Sequence, residues 1–328
     1  MKLSDAGELS LLEILRKRFG KKSPDIILGI GDDSAIVRSQ NSDLLLTTDM
    51  MVEGVHFDLS WTTPFQLGFK LVSVNVSDIY AMGGVPKYLL LNFSAGKNTT
   101  LDFFSKFFDG IETAMKRYGV LLIGGDISSS EKIVVSATVT GYAKKFLARK
   151  GAKTGDKIYV TGHTGDAACG LALMKIIKNR IAIEQGKKRK FPLPWDIVSP
   201  LIERHLMPVA RNSRRFLKSA TAMIDISDGL MIDLSRLCKE SNIGALVYAD
   251  KIPLSKELLK ASEYLGLSPF DLAFGGGEDY ELLFTATAGK KVSAAYCIGE
   301  VINTGIFVID EKGHKRKASI KGYQHFKI

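Results

Sequence analysis

The residues best suited to chemistry in this chain of 328 residues are aspartates at predicted strand ends or beside glycines. They are Asp32, Asp33, Asp49, Asp78, Asp126, Asp225 and Asp228. Hydroxyl residues accompany several of them, namely Thr47, Thr48, Ser77 and Ser227. Hard oxygen ligands of this kind favour Mg²⁺ or Ca²⁺ over zinc.

Carboxylates that converge in a folded protein repel one another unless cations lie between them. Two like charges about 4 Å apart repel by roughly 4 kcal/mol at an effective dielectric of about 20. Mg²⁺ in proteins usually combines a few carboxylates with substrate phosphates. The aspartates therefore predict a magnesium site for a nucleotide polyphosphate. For any single aspartate, the alternative of a helix cap or a turn stays open.

Common phosphate-binding motifs are absent from the sequence. No G-x-x-x-x-G-K-S/T segment occurs, and Gly29-x-Gly31 lacks a third glycine at Ser34, so neither a P-loop nor a dinucleotide fingerprint is supported. The segment Gly162-His163-Thr164-Gly165 could bind an anion at a helix N-terminus or form a tight turn. His56 follows Asp49 closely and could face the same cleft, where its titration range suits a phosphate contact.

The elements that must position these residues alternate irregularly between strand and helix, which is typical of two α+β domains. Thr63-Pro64 predicts the start of a helix that stops at Gly83-Gly84 and carries Asn75 and Asp78 near its C-terminal end. Other helices are predicted over the first twenty residues, over 101–118, from 166 and after 229. Strands are predicted at 44–47, 120–123, 133–142, 157–161, 222–224 and 280–285, and near 298 and 306.

A break in this pattern at 149–156 predicts a domain boundary, with one domain over 1–148 and another over 149–328. The segment 179–200 is polar and contains proline, and we predict a mobile surface excursion there. No stretch approaches the eighteen or so apolar residues that span a bilayer, and the N-terminus does not read as a signal peptide. Three widely spaced cysteines fit neither a zinc site nor a disulfide framework. These features predict a cytoplasmic protein that does not bind membranes.

The formal net charge of +10 raises the alternative of a nucleic-acid-binding or scaffold protein. Much of the excess lies in short clusters typical of a solvated surface, and no basic stripe interleaved with aromatics and no recognition helix is present. A nucleic-acid-binding protein would also leave the aspartates unexplained. We therefore predict no nucleic-acid partner.

Seven segments, in this order, resemble the thiamine-monophosphate kinase family, a member of the superfamily shared with aminoimidazole ribonucleotide synthetase and selenophosphate synthetase. They are GIGDDSAIV, TTDMMVEGVHF, NVSDIYAMGG, LIGGD, GAKTGD, IDISDGL and GGGEDYELLF. The resemblance extends to Tyr323-Gln324-His325-Phe326 and is specific as a set, although each segment alone is weak. It departs from the family pattern at His163 and in a longer, more basic stretch around 187–194.

The resemblance implies an aminoimidazole ribonucleotide synthetase-like fold. The N-terminal domain would form a β-barrel across a homodimer, and the C-terminal α/β sandwich would complete the substrate site. ATP and several Mg²⁺ ions would lie between them, and the γ-phosphoryl of ATP would pass directly to thiamine monophosphate, without a catalytic side chain.

The resemblance also implies a role for individual residues. The metal ligands would be Asp33, Thr47, Thr48, Asp49, Asp78, Asp126, Asp225 and Asp228. The ATP contacts would be Gly125, Asp126, Arg149 and Ser227. Thiamine monophosphate would be bound by His56, Glu278 and Tyr323.

Related families fit the sequence less well. A selenophosphate synthetase is expected to carry a reactive cysteine near its N-terminus, yet none precedes Cys169. A hydrogenase-maturation relative is expected to end in a functional cysteine, and this chain ends Phe326-Lys327-Ile328. Aminoimidazole ribonucleotide synthetase stays open as an alternative, although GGGEDYELLF and the terminal KGYQHF fit it less well.

Overall fold

The structure, a computed structural model, describes residues 26–28, 32–33, 35–38, 42–176 and 190–325. The helix predicted over the first twenty residues, Gly29-x-Gly31 and residues 187–189 of the basic stretch around 187–194 lie outside these residues. The described chain forms two mixed sheets with helices packed against them. No helix among the described residues is both long enough and apolar enough to cross a membrane.

The first sheet has six strands in the order β1-β2-β3-β6-β4-β5. Its strands are β1 (Ile26–Leu28), β2 (Ala35–Arg38), β3 (Asp43–Val52), β4 (Val85–Ala95), β5 (Leu121–Ser129) and β6 (Val134–Ala143). Two helices, α1 (Pro64–Ala81) and α2 (Leu101–Tyr118), form the layer beside it. Both helices lie close to their predicted bounds.

Helix α1 begins where its sequence predicts, because Thr63 and Gln66 form a capping box. The Thr63 hydroxyl accepts from the Gln66 amide at 3.2 Å, and the Gln66 side chain accepts from the Thr63 amide at 2.9 Å. The helix is buried along nearly its whole length, since the sheet, α2 and the second half of the chain all pack around it. Side chains on α1 therefore have fixed positions.

Helices α1 and α2 cross at two glycines. A Cβ at Gly68 would lie 2.1 Å from the Phe107 carbonyl oxygen, and one at Gly110 would lie 2.0 Å from the Phe65 carbonyl oxygen. Both contacts are shorter than any real Cβ contact, so the two backbones approach closely only because these positions are glycine.

Two strands of this sheet extend further than predicted. The prediction ends one strand at Thr47, but β3 pairs with β6 over ten residues and continues through Thr48 and Asp49 to Val52. Strand β5 likewise continues through Gly125 and Asp126. The predicted strand ends were wrong because cross-strand pairing, and not local composition, determines where these strands stop.

The second sheet has seven strands in the order β13-β12-β9-β11-β7-β10-β8. Its strands are β7 (Lys157–Val160), β8 (Ala220–Asp225), β9 (Gly244–Tyr248), β10 (Leu282–Ala286), β11 (Tyr296–Ile302), β12 (Ile306–Ile309) and β13 (Lys315–Lys317). The helices of this half are α3 (Asp166–Lys175), α4 (Trp195–Leu206), α5 (Leu230–Ser241), α6 (Lys256–Leu265) and α7 (Pro269–Gly275). A short 3₁₀ turn covers Ala249–Lys251.

Helix α4 contradicts the prediction of a surface excursion through residue 200. It contains Pro200, yet Val198, Leu201 and Ile202 are buried on one side of it. Burial of this face outweighs the hydrogen bond that Pro200 cannot donate. Residues 179–189 of the predicted excursion lie outside the described residues.

The two halves pack against each other at the end of α1. Ala81, Leu147, Phe216 and Phe284 share one buried cluster, and the Leu147 amide donates to the Met82 carbonyl at 3.0 Å. The cluster fixes the first half on one face of strands β8 and β10. The boundary between 148 and 149 stays a prediction.

Candidate active site

Three carboxylates meet where the two halves join. Asp33 lies between β1 and β2, Asp78 lies near the end of α1, and Asp225 ends β8. Each offers one oxygen, and these oxygens all lie within 4.8 Å of one another. Three of the sequence-predicted metal ligands are therefore brought together from three separate elements.

Hydroxyl groups hold two of these carboxylates. Thr47 donates to Asp78 Oδ2 at 2.6 Å, and Ser77 donates to Asp225 Oδ2 at 2.5 Å. Thr47 can reach Asp78 because alternate residues of β3 face α1. Two of the hydroxyls that accompany the aspartates in the sequence, Thr47 and Ser77, are thus neighbours of the carboxylates in space as well.

The raised pKa values of the aspartates in this site indicate that the charged carboxylates require cations. Burial, followed by the charge of Asp49, raises the pKa of Asp78 well above its usual value. Burial, followed by Asp33, raises the pKa of Asp225 in the same way. The pKa of Asp49 rises to about 6, through burial and then through Asp228 and Asp33. A bound cation would remove these penalties.

Asp33 offers an oxygen that the protein does not satisfy. Its Oδ2 atom is buried and has no hydrogen-bond partner among the residues that the structure describes. A buried carboxylate oxygen without a partner is costly unless a cation or a donor lies beside it. The donor set of Asp33, Asp78 and Asp225 therefore fits a hard divalent cation such as Mg²⁺.

Arg149, the predicted phosphate ligand, lies at the edge of this cluster. Its Nη2 atom forms a very short ion pair with Asp33 Oδ1, and its backbone amide donates to Asp32 Oδ2 at 3.0 Å. Burial, followed by Asp33, raises the pKa of Asp32 to about 7. Arg149 thus balances part of the negative charge of Asp32 and Asp33.

The loop after β8 carries Ser227 and Asp228. Asp228 pairs with Arg236 Nη1 at 2.6 Å, and its amide donates to Asp233 Oδ2 at 3.0 Å. Asp233 also accepts from the Gly229 amide at 3.1 Å, which fixes the start of α5. The charge of Asp228 acts on Asp49, so the loop borders the carboxylate cluster.

The backbone of the glycine-rich loop 275–281 lies against this loop. The Glu278 amide donates to the Ser227 carbonyl at 2.7 Å, and the Tyr280 amide donates to the Ile226 carbonyl at 2.9 Å. Glu278 and Tyr280 both have positive φ, 67° and 50°. Non-glycine residues rarely adopt this conformation, and strained backbone of this kind clusters at functional sites.

The Glu278 side chain is held by two buried residues. Lys70 Nζ lies 2.7 Å from one oxygen, and His205 Nδ1 lies 2.8 Å from the other. Burial alone would raise the pKa of Glu278, but Lys70 and then His205 outweigh it and lower the pKa. Burial, followed by Lys70, lowers the pKa of His205, whose Nδ1 faces the carboxylate and can donate to it.

His56 and Tyr323 lie near the same cleft. His56 Nδ1 accepts from the Val52 amide at 3.0 Å, and burial, followed by His325, lowers the pKa of His56. The His325 ring lies 5.1 Å from the His56 ring and 4.9 Å from the Tyr323 ring. The Tyr323 amide donates to the Asp228 carbonyl at 3.0 Å, so Tyr323 lies beside the loop after β8.

Three of the predicted ligands do not reach the carboxylate cluster within one chain. Thr48 faces the side of the sheet opposite Asp49 and donates to the Ala137 carbonyl at 3.0 Å. Asp49, Ala137, Leu91 and Gly125 are consecutive partners across β3, β6, β4 and β5. Gly125 is therefore three strands from Asp49, about 14 Å at the usual strand spacing. Asp126 follows it on the same exposed edge strand.

The anion-binding position at segment 162–165 is filled by a side chain of the protein itself. The Asp279 carboxylate accepts from the Gly165 amide at 2.6 Å and from the Ala167 amide at 3.0 Å. It therefore fills the N-terminus of α3, where the sequence left an anion site or a tight turn open. No external anion is needed there.

Sequence reasoning missed Lys70, His205, Asp233 and Arg236. Lys70 and His205 stand 135 positions apart in number and pair only through Glu278, so no local motif joins them. A lysine in the apolar stretch of α1 was the one available signal, because a buried lysine requires a partner.

Comparisons with known proteins agree over both halves of the chain. Models of AIR synthase related proteins match at residues 31–143 (N-terminal domain) and 153–311 (C-terminal domain). The thiamine-monophosphate kinase of Aquifex aeolicus (strain VF5) is 38% identical over 331 residues, which cover 99% of this chain and 100% of that protein. The thiamine-monophosphate kinase of Buchnera aphidicola subsp. Acyrthosiphon pisum (strain APS) is 36% identical over 336 residues, covering 97% of this chain and 98% of that protein.

Among solved structures, AaThiL complexed with AMPPCP and TMP matches with a TM-score of 0.87 and 36% identity, over 99% of both chains. These matches confirm the predicted two-domain α+β fold. The dimeric barrel stays a prediction.

Proposed function

Because the chain belongs to the thiamine-monophosphate kinase family, we propose that it transfers the γ-phosphoryl group of ATP to thiamine monophosphate, giving thiamine diphosphate and ADP. The observation that carries this proposal is the meeting of Asp33, Asp78 and Asp225 within 4.8 Å at the junction of the two halves. The similarity to a kinase structure with an ATP analogue and TMP supports it.

We propose several Mg²⁺ ions as the metal. Asp33, Asp49, Asp78 and Asp225 would hold them, with Thr47 and Asp228 beside them. The unsatisfied oxygen of Asp33 and the raised pKa values of Asp49, Asp78 and Asp225 support this set. When bound, the metal would neutralise the phosphates and orient them for transfer.

The chain contributes by positioning its two substrates. A phosphate oxygen of thiamine monophosphate attacks the γ-phosphorus, the new O–P bond forms, and the bond to the β–γ bridging oxygen breaks as ADP leaves. A phosphate monoester is largely ionised at neutral pH, so the acceptor needs no general base. Arg149 and Ser227 would contact the phosphates of ATP, where the guanidinium can bind phosphate oxygens in a bidentate manner.

His56, Glu278 and Tyr323 are the proposed contacts for thiamine monophosphate. Glu278 can accept from the amino group of the pyrimidine, and Tyr323 can stack on a ring. Their arrangement around one cleft supports this assignment, since His325 links the His56 and Tyr323 rings and the charge of Glu278 acts on His56.

We propose a homodimer in which Gly125, Asp126 and Thr48 serve the site of the partner. All three are too far from the carboxylate cluster of their own chain or face away from it. The sheet face that carries Thr48 also exposes Met50 (56%) and Leu90 (42%), and edge strand β5 exposes Ile123 (59%) and Ile127 (66%). Contiguous apolar surface of this kind is typical of an interface. A second copy on it would bring these residues to a site.

A cytoplasmic location is part of the proposal, and the free thiols of Cys169, Cys238 and Cys297 are consistent with it. We expect no nucleic-acid partner.

The test is a coupled assay on purified protein. With Mg-ATP and thiamine monophosphate, ADP and thiamine diphosphate should form in equal amounts, and no phosphoenzyme should be detected after incubation with γ-labelled ATP. Aminoimidazole precursors should not be used as substrates. Turnover of those precursors without turnover of thiamine monophosphate would replace this proposal with the aminoimidazole ribonucleotide synthetase alternative.

A further inference from the structure

Glu278 is bound by a residue from each half of the chain. Lys70 lies in α1 and contacts one carboxylate oxygen, and His205 lies in α4 and contacts the other. The Lys70 and His205 side chains are 3% and 7% exposed, whereas the Glu278 side chain is 28% exposed. The Glu278 carboxylate therefore faces the cleft, while the Lys70 and His205 side chains that contact it are buried.

We propose that Lys70 and His205 are positioning residues that fix the Glu278 carboxylate as an oriented acceptor for the amino group of the substrate's pyrimidine. The inference rests on the proposed function, because it assigns a structural cause to the Glu278 contact. Neither residue touches the substrate; each acts through Glu278.

The number of donors supports this role. An ionised carboxylate has two oxygens and about four acceptor sites. Among the described residues, Lys70 and His205 place one donor on each oxygen, which prevents rotation of the carboxylate and leaves accepting capacity on both oxygens. A third protein donor would compete with the substrate, and a single donor would leave the group free to rotate.

The location of Lys70 supports the same role. Lys70, Val74 and Asp78 follow one another at intervals of four along α1, so they lie on one face of the helix. Eight residues of α helix span about 12 Å. One rigid, buried helix therefore sets the distance between the carboxylate cluster and the residue that holds Glu278.

The backbone of Glu278 adds a second constraint. Its amide donates to the Ser227 carbonyl at 2.7 Å, in the loop proposed to contact ATP. The backbone thus fixes the loop relative to the nucleotide side, and Lys70 and His205 fix the side chain. The distance between the Glu278 carboxylate, which would bind the pyrimidine ring, and the loop that would bind ATP would then be constant.

A purely structural ion pair is the competing explanation. Replacing a buried ion pair with apolar groups is often neutral for stability, so stability alone would not account for a buried lysine here. The two explanations differ in kinetics. A structural pair should affect both substrates equally, whereas positioning residues should affect only thiamine monophosphate.

The first experiment compares steady-state kinetics of Lys70→Met, His205→Gln and Glu278→Gln. Loss of one charged hydrogen bond should raise the KM for thiamine monophosphate roughly tenfold or more. The KM for ATP should not change, and kcat should fall by no more than about twofold, as expected for lost uniform binding. Lys116→Met is the matched control, because Lys116 pairs with Glu112 on the exposed surface of α2.

The second experiment uses an analogue in which an oxygen replaces the pyrimidine amino group; in its keto form this oxygen is an acceptor and cannot donate to Glu278. The wild-type enzyme should discriminate against it, and Lys70→Met and His205→Gln should lose most of that discrimination. The double variant Lys70→Met with Glu278→Gln should have the KM of Glu278→Gln alone, because Lys70 acts through Glu278. If Lys70→Met does not fold, both measurements are made on His205→Gln.

Full discrimination in folded variants, or equal losses for ATP and thiamine monophosphate, would overturn the positioning role and leave the kinase proposal intact. A wild-type protein that forms no thiamine diphosphate would instead refute the kinase proposal itself.

Discussion

Ser77 in α1 donates a 2.5 Å hydrogen bond to Asp225 at the end of β8, although 148 positions separate the two residues. The neighbouring residue of Ser77 is Asp78, itself a member of the carboxylate cluster. The same turn of α1 therefore supplies one carboxylate and holds another. The cluster exists only when the two halves of the chain are packed together.

Neutralising one member of the cluster should stabilise the metal-free protein. In Asp78→Asn the amide oxygen can still accept from Thr47, while one buried charge is removed. Each kcal/mol gained should raise the melting temperature by about 2 °C in a protein larger than about 250 residues. Calorimetry should also show that Mg-ATP no longer shifts the melting temperature. Asp102→Asn, at an exposed pair on α2, is the control; an unchanged Mg-ATP shift in Asp78→Asn would contradict the proposed ligand set.

Removing Arg149 should have the opposite effect on stability. Arg149→Met leaves the Asp33 carboxylate without its cation, and breaking a buried pair in this way costs about 3–5 kcal/mol. Adding Asp33→Asn should restore most of that stability without restoring turnover. Urea unfolding measures both effects, with the exposed Arg214→Met as a control. Wild-type stability of Arg149→Met would show that the pair is unimportant in solution.

The proposed dimer predicts complementation between inactive variants. Asp126→Asn and Asp225→Asn should each be inactive as homodimers. If Asp126 serves the partner's site, a mixed dimer has one intact site, and a statistical co-expression mixture should recover about a quarter of wild-type activity. If Asp126 instead serves its own chain, each subunit of the mixed dimer has one altered residue in its own site. Both sites are then defective, and no activity should return. Analytical ultracentrifugation should confirm the dimer in each sample.

Stability should depend on pH through Glu281, which is fully buried between Arg204 and Arg211. Burial alone would raise the pKa of Glu281, but Arg204 and then Arg211 lower it below its ordinary value of 4.5. A lowered carboxyl pKa stabilises the protein fully above the unfolded-state value, and this contribution is lost as the pH falls through the native pKa. Glu281→Gln should therefore melt below the wild type at neutral pH, and the difference should shrink below pH 4.5. Glu112→Gln, at an exposed pair, should show no such convergence; a difference independent of pH would contradict the assignment.

The sequence predicts helix α1 well because its ends are local. Thr63, Pro64 and the glycines after Met82 act over a few residues, and the structure begins and ends the helix there. The ends of β3 and β5 depend on partner strands far away in sequence, so composition alone placed them too early. Helix α4 was missed because Pro200 suggests a break, whereas burial of its apolar face keeps the helix continuous.

In the acidic cluster, too, the features that depend on residue type could be predicted, and those that depend on distant parts of the chain could not. Asp33, Asp78 and Asp225 could be predicted as a set, because residue type indicates metal binding even where the chain path is unknown. The separation of Asp126 from them could not be predicted, since it depends on the strand order of the sheet. Lys70 and His205 could not be found either, because their role becomes visible only once both lie beside Glu278.

Two adjacent residues of helix α4 each contact a glutamate of the loop 275–281. Arg204 pairs with Glu281, and His205 pairs with Glu278. An extra residue within the helix ahead of Arg204 would turn both side chains by about 100° and separate both pairs at once. An extra residue ahead of Trp195 would leave the helix in phase. Length changes that the enzyme tolerates should therefore cluster before Trp195, and peptide tags inserted there should be far less harmful than tags placed one turn later.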